Sequence, residues 1–405
     1  MNEIRLKSWL PESGENLFQR IKTQRAQAEK QGVKIIDLSI GQPKGPAMYS
    51  TRVAAANAVM STVEEMHEYQ DNGSPGVPDF AEKFVRYHVS IDPANNVAFL
   101  PIPGIKSMLS LVIMACNAGY QNKQSTRMKI VTATNPGYPT PAYWAMRLGQ
   151  ELIEPDITTT NFKIQPKQID KDVRLVMLNY PHNPSGQVML VEDWAALCIH
   201  CRNHEIRVFN DSAYSGLLHD KSGRTLSQVA QVIEGLSWAE AFSASKLIGN
   251  GTGWRVGAIA GSTDFIADIA REKGNADSGF FAPAAAGVLA AVENYEYANG
   301  ADTHRQMKMI KVKYENRISK LTAVLKEEGM KLAVEPKAGF FTLWEAPEKA
   351  FGQKIVDGEH FNALMIVNTG VTGVPFGRFI RYAVSGSAVD ESLEDIKAGF
   401  QKALG

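Results

Sequence analysis

The stretch that decides the reading is Trp238-Ala239-Glu240-Ala241-Phe242-Ser243-Ala244-Ser245-Lys246, followed shortly by Gly253-Trp254-Arg255-Val256-Gly257. Trp238–Phe242 reads as a short buried strand, and the two serines and the lysine fall just past its carboxyl end. A lysine forms an imine only as the free amine, so it needs surroundings that depress its pKa. Ser243 and Ser245 can hydrogen-bond a phosphate, and Arg255 can grip the same phosphate bidentately. Ser-x-Ser-Lys alone also describes a surface lysine beside serines. The Gly-Trp-Arg-x-Gly that follows is what makes the combination specific.

Outward from this stretch, Lys129–Thr134, Arg174–Asn179 and Arg207–Asn210 also read as short buried strands, each followed by a polar or Gly/Pro-bearing turn. A helical run, Val191–His204, lies between two of them. Strand, loop, helix, strand is the rhythm of an α/β sheet with parallel strands. Ligands of such sheets bind beyond the carboxyl ends of the strands. Asn183 follows the strand at 174–179, Asp211 and Tyr214 follow the next, and Lys246 follows the one ending near Phe242. Polar groups from separate strand ends therefore point to one edge. By themselves, Asn183-Pro184-Ser185-Gly186 is a turn and Asp211 is a helix cap.

The last third changes character. Asp302–Glu328 is a long charged amphipathic helix, followed by strand-like Lys331–Glu335 and Gly339–Trp344 and a helix over Asp390–Leu404. The pattern predicts a large α/β domain over residues 46–285. A smaller α+β domain would comprise residues 286–405, with residues 1–45 packed on it.

The chain has 405 residues, 44% hydrophobic and 21% charged, enough for two domains with a sizeable core. Lys plus Arg equals Asp plus Glu at 43 each, so no basic excess favours nucleic acid or an anionic membrane. The N-terminal stretch carries scattered charge and no apolar core, and the longest apolar runs are too short to span a bilayer. With only 3 cysteines there is no disulfide scaffold, and a reduced cytoplasm is the expected compartment.

Together these motifs resemble the class I/II aminotransferases, which carry pyridoxal 5′-phosphate on a fold of type I. The similarity covers almost the whole chain. It implies that Lys246 holds the cofactor as an imine and shuttles a proton. Asp211 would face the pyridine nitrogen, and Tyr214 and Asn183 the ring 3-oxygen. Arg255, Ser243 and Ser245 would hold the phosphate, with the backbone of Gly104, Ile105 and Lys106 at a helix start. Tyr138, in Asn135-Pro136-Gly137-Tyr138-Pro139, is the counterpart of an aromatic residue that stacks on the ring. Tyr69 is similar to a tyrosine that reaches the partner subunit's phosphate. Gly41, in Ile40-Gly41-Gln42-Pro43, belongs to a loop near the substrate, and Arg381 matches the arginine that clamps the substrate α-carboxylate. In the strand around Phe379 and Ile380, positions 378 and 381 face opposite ways, so Arg378 is the alternative clamp.

The chain departs from the family in two places. Gly76-Val77-Pro78-Asp79-Phe80 stands where Gly-x-x-x-Leu-Arg is common. Gly274, beside Lys273, stands where aspartate-specific members carry a second arginine. The resemblance implies a homodimer with shared sites and transfer of an amino group from an L-α-amino acid to a 2-oxo acid, 2-oxoglutarate foremost. The same residues serve a C–S β-lyase or an aminotransferase of the diaminopimelate pathway, and the donor is not written in them. Cys198, Cys201, His200 and His204 share a helical run and read as packed thiols rather than a metal site. The glycines at 249, 251 and 253 lack dinucleotide-loop spacing.

Overall fold

A computed structural model of the chain describes residues 17–116, 127–297 and 301–405. Residues 1–16 of the segment expected to join the smaller domain lie outside the described residues. Seven strands form one sheet: β1 (Val97–Ile102), β2 (Lys129–Thr132), β3 (Glu151–Ile153), β4 (Val173–Leu178), β5 (Arg207–Asp211), β6 (Trp238–Ser243) and β7 (Gly257–Ser262). Their order is β1-β7-β6-β5-β4-β2-β3. The pairings from β3 through β6 are parallel, while β7 runs antiparallel to both β6 and β1. The expected strands are all present, with Asp211 as the last residue of β5 and Ser243 as the last of β6.

The sheet buries both faces, as a largely parallel sheet must. Within β4, Leu175 and Met177 enter one core with Phe209, Val112 and Ile269. Val176 and Leu178 enter another with Val208, Trp194 and Leu197. Cys198 and Cys201 belong to this second core, on the helix Val191–Asn203, which is the packed-thiol reading. Strand β7 was not legible because its sequence, Gly-Ala-Ile-Ala-Gly-Ser, has the composition of a loop. Its backbone runs so close to β6 that a Cβ on Gly257 would sit 2.3 Å from the Phe242 carbonyl oxygen.

The C-terminal part is an antiparallel sheet in the order β10-β11-β9-β8, from β8 (Leu332–Val334), β9 (Phe341–Glu345), β10 (Val374–Phe376) and β11 (Phe379–Ala383). The expected long helix spans Ala301–Glu327 and the final one Leu393–Leu404. Ile36–Asp37 pairs in parallel with Val371–Thr372, and the helix Leu17–Lys30 packs on Gly358–Thr369. The N-terminal segment is thus stitched to the C-terminal part. The helix Ala282–Tyr297 packs against Tyr49–Val59 of the large part, so a division at residue 285 falls inside it.

His88 closes the helix Phe80–His88 and stacks on Phe242, with centroids 5.0 Å apart. Its Nδ1 lies 3.0 Å from Ser215 Oγ. Burial pushes its pKa from 6.5 down to about 3, so the ring is neutral when folded. The unfolded chain protonates first. The stability this group contributes is whole above its unfolded pKa and is lost as pH falls, by about 1.4 kcal/mol per pH unit. His88→Phe keeps the stack and removes the titration. Its urea midpoint should fall less steeply than that of the wild type between about pH 6.5 and 5. Equal slopes would show that His88 does not couple folding to pH.

Candidate active site

The carboxyl ends of β4, β5 and β6 open into a cavity of about 460 Å³. Strand β5 delivers Asp211 and then turns, with the Ala213 N–H donating to Asp211 Oδ1 at 3.1 Å. Tyr214 follows, and the Lys246 Nζ lies 5.7 Å from its ring centroid. Strand β6 ends in Ser243, whose hydroxyl caps the single turn Ala244–Lys246 by accepting from the Ser245 N–H at 3.1 Å. Ser243 Oγ also donates to Ser245 Oγ at 2.8 Å. That turn rotates Lys246 off the strand and into the cavity.

Burial sets the electrostatics. It pushes the Lys246 amine down to about 8, against Asp211, which favours the charge, and with Arg255 and Arg381, which oppose it. It pushes Asp211 up to about 6, against the Ala213 N–H and Lys246. Tyr138 rises to about 12, and Tyr214 rises further, chiefly because phenolates lose their hydration here. The lysine therefore loses its proton at a pH well below that of an ordinary amine.

A second group of residues meets at the start of the helix Ile105–Ala115. Gly104 has φ +84°, and a Cβ there would lie 2.5 Å from Arg255 Nη2. Only glycine lets the guanidinium approach this helix start. Arg255 is steadied by donating from Nη1 to the Thr252 carbonyl at 2.9 Å. Guanidinium, helix N-terminus and the hydroxyls of Ser243 and Ser245 make a donor set suited to a phosphate dianion. Ile105, Lys106 and Tyr138 line the same cavity. The arrangement fits pyridoxal 5′-phosphate: phosphate donors, an amine of depressed pKa, a buried carboxylate and an aromatic wall.

Arg381, in β11, is the other guanidinium of the cavity. Its Nη1 donates to Asn183 Oδ1 at 2.9 Å and its Nη2 to the Ser39 carbonyl at 3.1 Å. The guanidinium lies 4.3 Å from the Phe341 ring centroid and 5.7 Å from that of Phe376. Gly41 abuts it, a Cβ there being 3.5 Å from Nη2. Arg378, expected on the opposite face of the strand, instead lies in the turn before β11, where it is exposed and borders a separate cavity with Asn135 and Asp156. Of the two arginines the site holds Arg381.

Gly41, Asn183, Asp211, Tyr214, Lys246 and Arg381 all line the cavity. Tyr69 does not; its side chain is 77% exposed on the outer surface. Lys273 is fully buried and donates to the Asp71 carbonyl at 3.2 Å and to Asp277 at 2.7 Å, so its charge is committed within the chain. Sequence reasoning missed Asn179, Phe376 and the Ser39 carbonyl. Asn179 could have been found as the polar end of an apolar strand, four residues before Asn183. The other two come from distant segments.

The family described as aminotransferase class I and II matches residues 33–394. An LL-diaminopimelate aminotransferase of Methanocaldococcus jannaschii is 28% identical over 391 residues, covering 93% of this chain and 87% of that protein. Another, from Halothermothrix orenii, is 27% identical over 402 residues, with 94% and 95% covered. A double mutant of the aspartate aminotransferase of Thermus thermophilus superposes with a TM-score of 0.79 at 18% identity, over 96% of this chain and 97% of that one. The strand-end lysine, its carboxylate and the two arginines thus sit in a chain matched along most of its length, and the chain belongs to the aminotransferase class I and II family, on the type I fold.

Proposed function

We propose that this aminotransferase carries pyridoxal 5′-phosphate on Lys246, with 2-oxoglutarate as the acceptor that takes the amino group. The observation that supports the reading is Lys246: an amine of depressed pKa, in one cavity with Asp211, Tyr214 and two guanidinium groups. When bound, the cofactor supplies an electron sink for the substrate carbon that bears nitrogen. Arg255, Ser243, Ser245 and the N–H groups at the helix start would bind its phosphate. Asp211 would hold the pyridine nitrogen protonated, Tyr214 and Asn183 would donate to the 3-oxygen, and Tyr138 would stack on the ring. Lys246 Nζ takes the proton from the substrate Cα, a task suited to a base with pKa near the working pH. Arg381 binds the α-carboxylate common to amino acid and oxo acid and, by its burial, excludes water from the charge it meets.

Among donors we put first an amino acid of the diaminopimelate type, because relatives at 28% and 27% identity bear that name. Gly274 and the committed Lys273 supply no free cation at the position where aspartate-specific members carry one. We also propose a homodimer. Tyr49, Met60, Tyr69 and Phe281 are 71%, 80%, 77% and 63% exposed in the single chain. Apolar surface of that kind marks a contact face, and Tyr69 would reach the partner's phosphate across it. The cytoplasm is the proposed compartment, in keeping with the free thiols of Cys116, Cys198 and Cys201.

Covalent uptake of pyridoxal 5′-phosphate by the apoprotein should rise with pH around a midpoint near 8, because the amine must first be deprotonated. Lys246→Ala should bind the cofactor only non-covalently and lose transamination. Borohydride reduction that labels a different lysine would sink the assignment. A panel of amino donors with 2-oxoglutarate should show its highest kcat/KM for LL-diaminopimelate, and Arg381→Lys should weaken donor and acceptor alike by at least about tenfold, or 1.4 kcal/mol. If only one of the two suffers, Arg381 reads a side chain instead. Sedimentation at micromolar concentration should give a dimer; a monomeric holoenzyme with full activity would remove the shared site.

A further inference from the structure

Glu240 is a charged side chain with no part in the chemistry above. It lies in the middle of β6 with no solvent exposure. Four donors surround its carboxylate: Asn210 Nδ2 at 2.8 Å, Leu226 N at 3.1 Å, Ser227 N at 2.7 Å and Ser227 Oγ at 2.6 Å. Three of these partners are N–H groups that can only donate, and the Ser227 hydroxyl is placed to donate as well, so the network favours the ionised form, although burial pushes the pKa up. A buried charge this costly needs a structural or functional return.

The network leads to the cavity. Asn210 is the residue before Asp211. Its Nδ2, besides reaching Glu240, donates to the Tyr180 carbonyl at 2.8 Å, and its Oδ1 accepts from the Tyr180 N–H at 2.8 Å. Both polar groups of that one residue's backbone are thereby fixed by a side chain from the neighbouring strand. Asn179 precedes it. Its Nδ2 donates to the Asp211 carbonyl at 2.9 Å, and its Oδ1 accepts from the Asn183 N–H at 3.1 Å. Asn183 in turn accepts from Arg381. Hydrogen bonds run from the helix start at Leu226 through Glu240 and Asn210 to the Tyr180 backbone, and from its covalent neighbour Asn179 on to Asn183, which bonds Arg381.

We propose that Glu240, Asn210 and Asn179 are positioning residues that fix the loop after β4, and so set Asn183 against Arg381 and the cofactor ring. The inference rests on the reading of Arg381 and Asn183 given above. The loop from Asn179 to Gly186 belongs to no helix or strand, so nothing in regular secondary structure holds Asn183 in place. Glu240 orients Asn210 by giving its amide nitrogen a strong, charged acceptor, which settles which way the amide faces. Asn210 then matches the donor and acceptor of Tyr180, and Asn179 ties the loop's far end to Asp211. The residue that would face the ring nitrogen and the residue that would face the ring oxygen are thus held to each other by one amide.

The test compares holoenzyme variants Asn210→Ala and the near-isosteric Glu240→Gln with Arg381→Lys, at a temperature well below each unfolding transition. The relay predicts that both network variants raise KM for donor and acceptor by about tenfold while kcat falls less. It predicts also that the pH midpoint of the cofactor's absorbance change moves upward, since Asn183 no longer steadies negative charge on the ring oxygen. If Asn210→Ala fails to fold, Glu240→Gln, which changes one atom, carries the test alone. A network that is merely structural would lower Tm and leave both KM values and the absorbance midpoint where they are, and that result overturns the proposal. Arg381→Lys separates the two ideas: if it raises both KM values and the network variants raise neither, only the relay fails. If Arg381→Lys itself is silent, the carboxylate reading fails and the relay's target with it.

Discussion

A hydrogen bond from Arg381 to Asn183 joins the two parts of this molecule at the point where chemistry is expected. Arg381 belongs to the C-terminal sheet, Asn183 to a loop of the large sheet, and the Ser39 carbonyl that completes the grip to the N-terminal segment. The guanidinium is fully buried, with aromatic rings over it. Burial pushes even this group down to about 10, opposed by Tyr214. A charge held out of water at that cost is available to a carboxylate at full strength, because no solvent shell has to be stripped first. Any movement of one part against the other would be felt here.

The same exclusion of water governs the other titratable groups. Lys246 and Asp211 shift toward each other, the amine downward and the carboxyl upward, because burial disfavours each charge and their attraction only partly restores it. A pair of this kind keeps a base and an acid within reach of the same pH. Further out, Asp220 is held below the usual carboxylate range first by the Ser222 N–H, on an exposed turn. Its ordinary role contrasts with the cavity, where desolvation rather than a local bond sets the direction.

Beneath the site some buried polar groups are fully paired, while Arg381 Nε and Gln187 Oε1 have no hydrogen-bond partner among the described residues. His182, next to Asn183, is buried with Nδ1 2.7 Å from Ser185 Oγ and Nε2 3.3 Å from the Ala133 carbonyl. The carbonyl can only accept, so Nε2 carries the proton and Nδ1 accepts from the serine. This ties the loop of Asn183 to the end of the segment that leads to Tyr138. Buried networks of this sort add little net stability, yet they specify one arrangement over its neighbours, and specification is what a catalytic cavity requires.

How much of this could be read in advance follows from which constraints are local. That the strand-end lysine, Asp211, Tyr214 and Asn183 would meet at one edge of the sheet was legible because each falls just past a strand that its own residues mark; Arg255 and the glycine at the helix start were found through the family resemblance. The antiparallel strand β7 was not, since its glycines answer to the closeness of β6 rather than to any preference of their own. The expected limit of the large part, at residue 285, falls inside the helix Ala282–Tyr297, whose packing on Tyr49–Val59 depends on distant residues. Ser39 and Phe376 gave no signal, for a carbonyl and a phenyl ring acquire their roles only from what folds against them. By itself, then, the sequence determined the sheet and the polar groups that fall at its strand ends, because periodicity and turn composition are properties of neighbouring residues. Which arginine lies inside, which glutamate is buried beneath the loop and which face of the strand meets the cavity were decided by tertiary structure, because burial and the pKa shifts it causes arise only when distant segments exclude water from the same small volume.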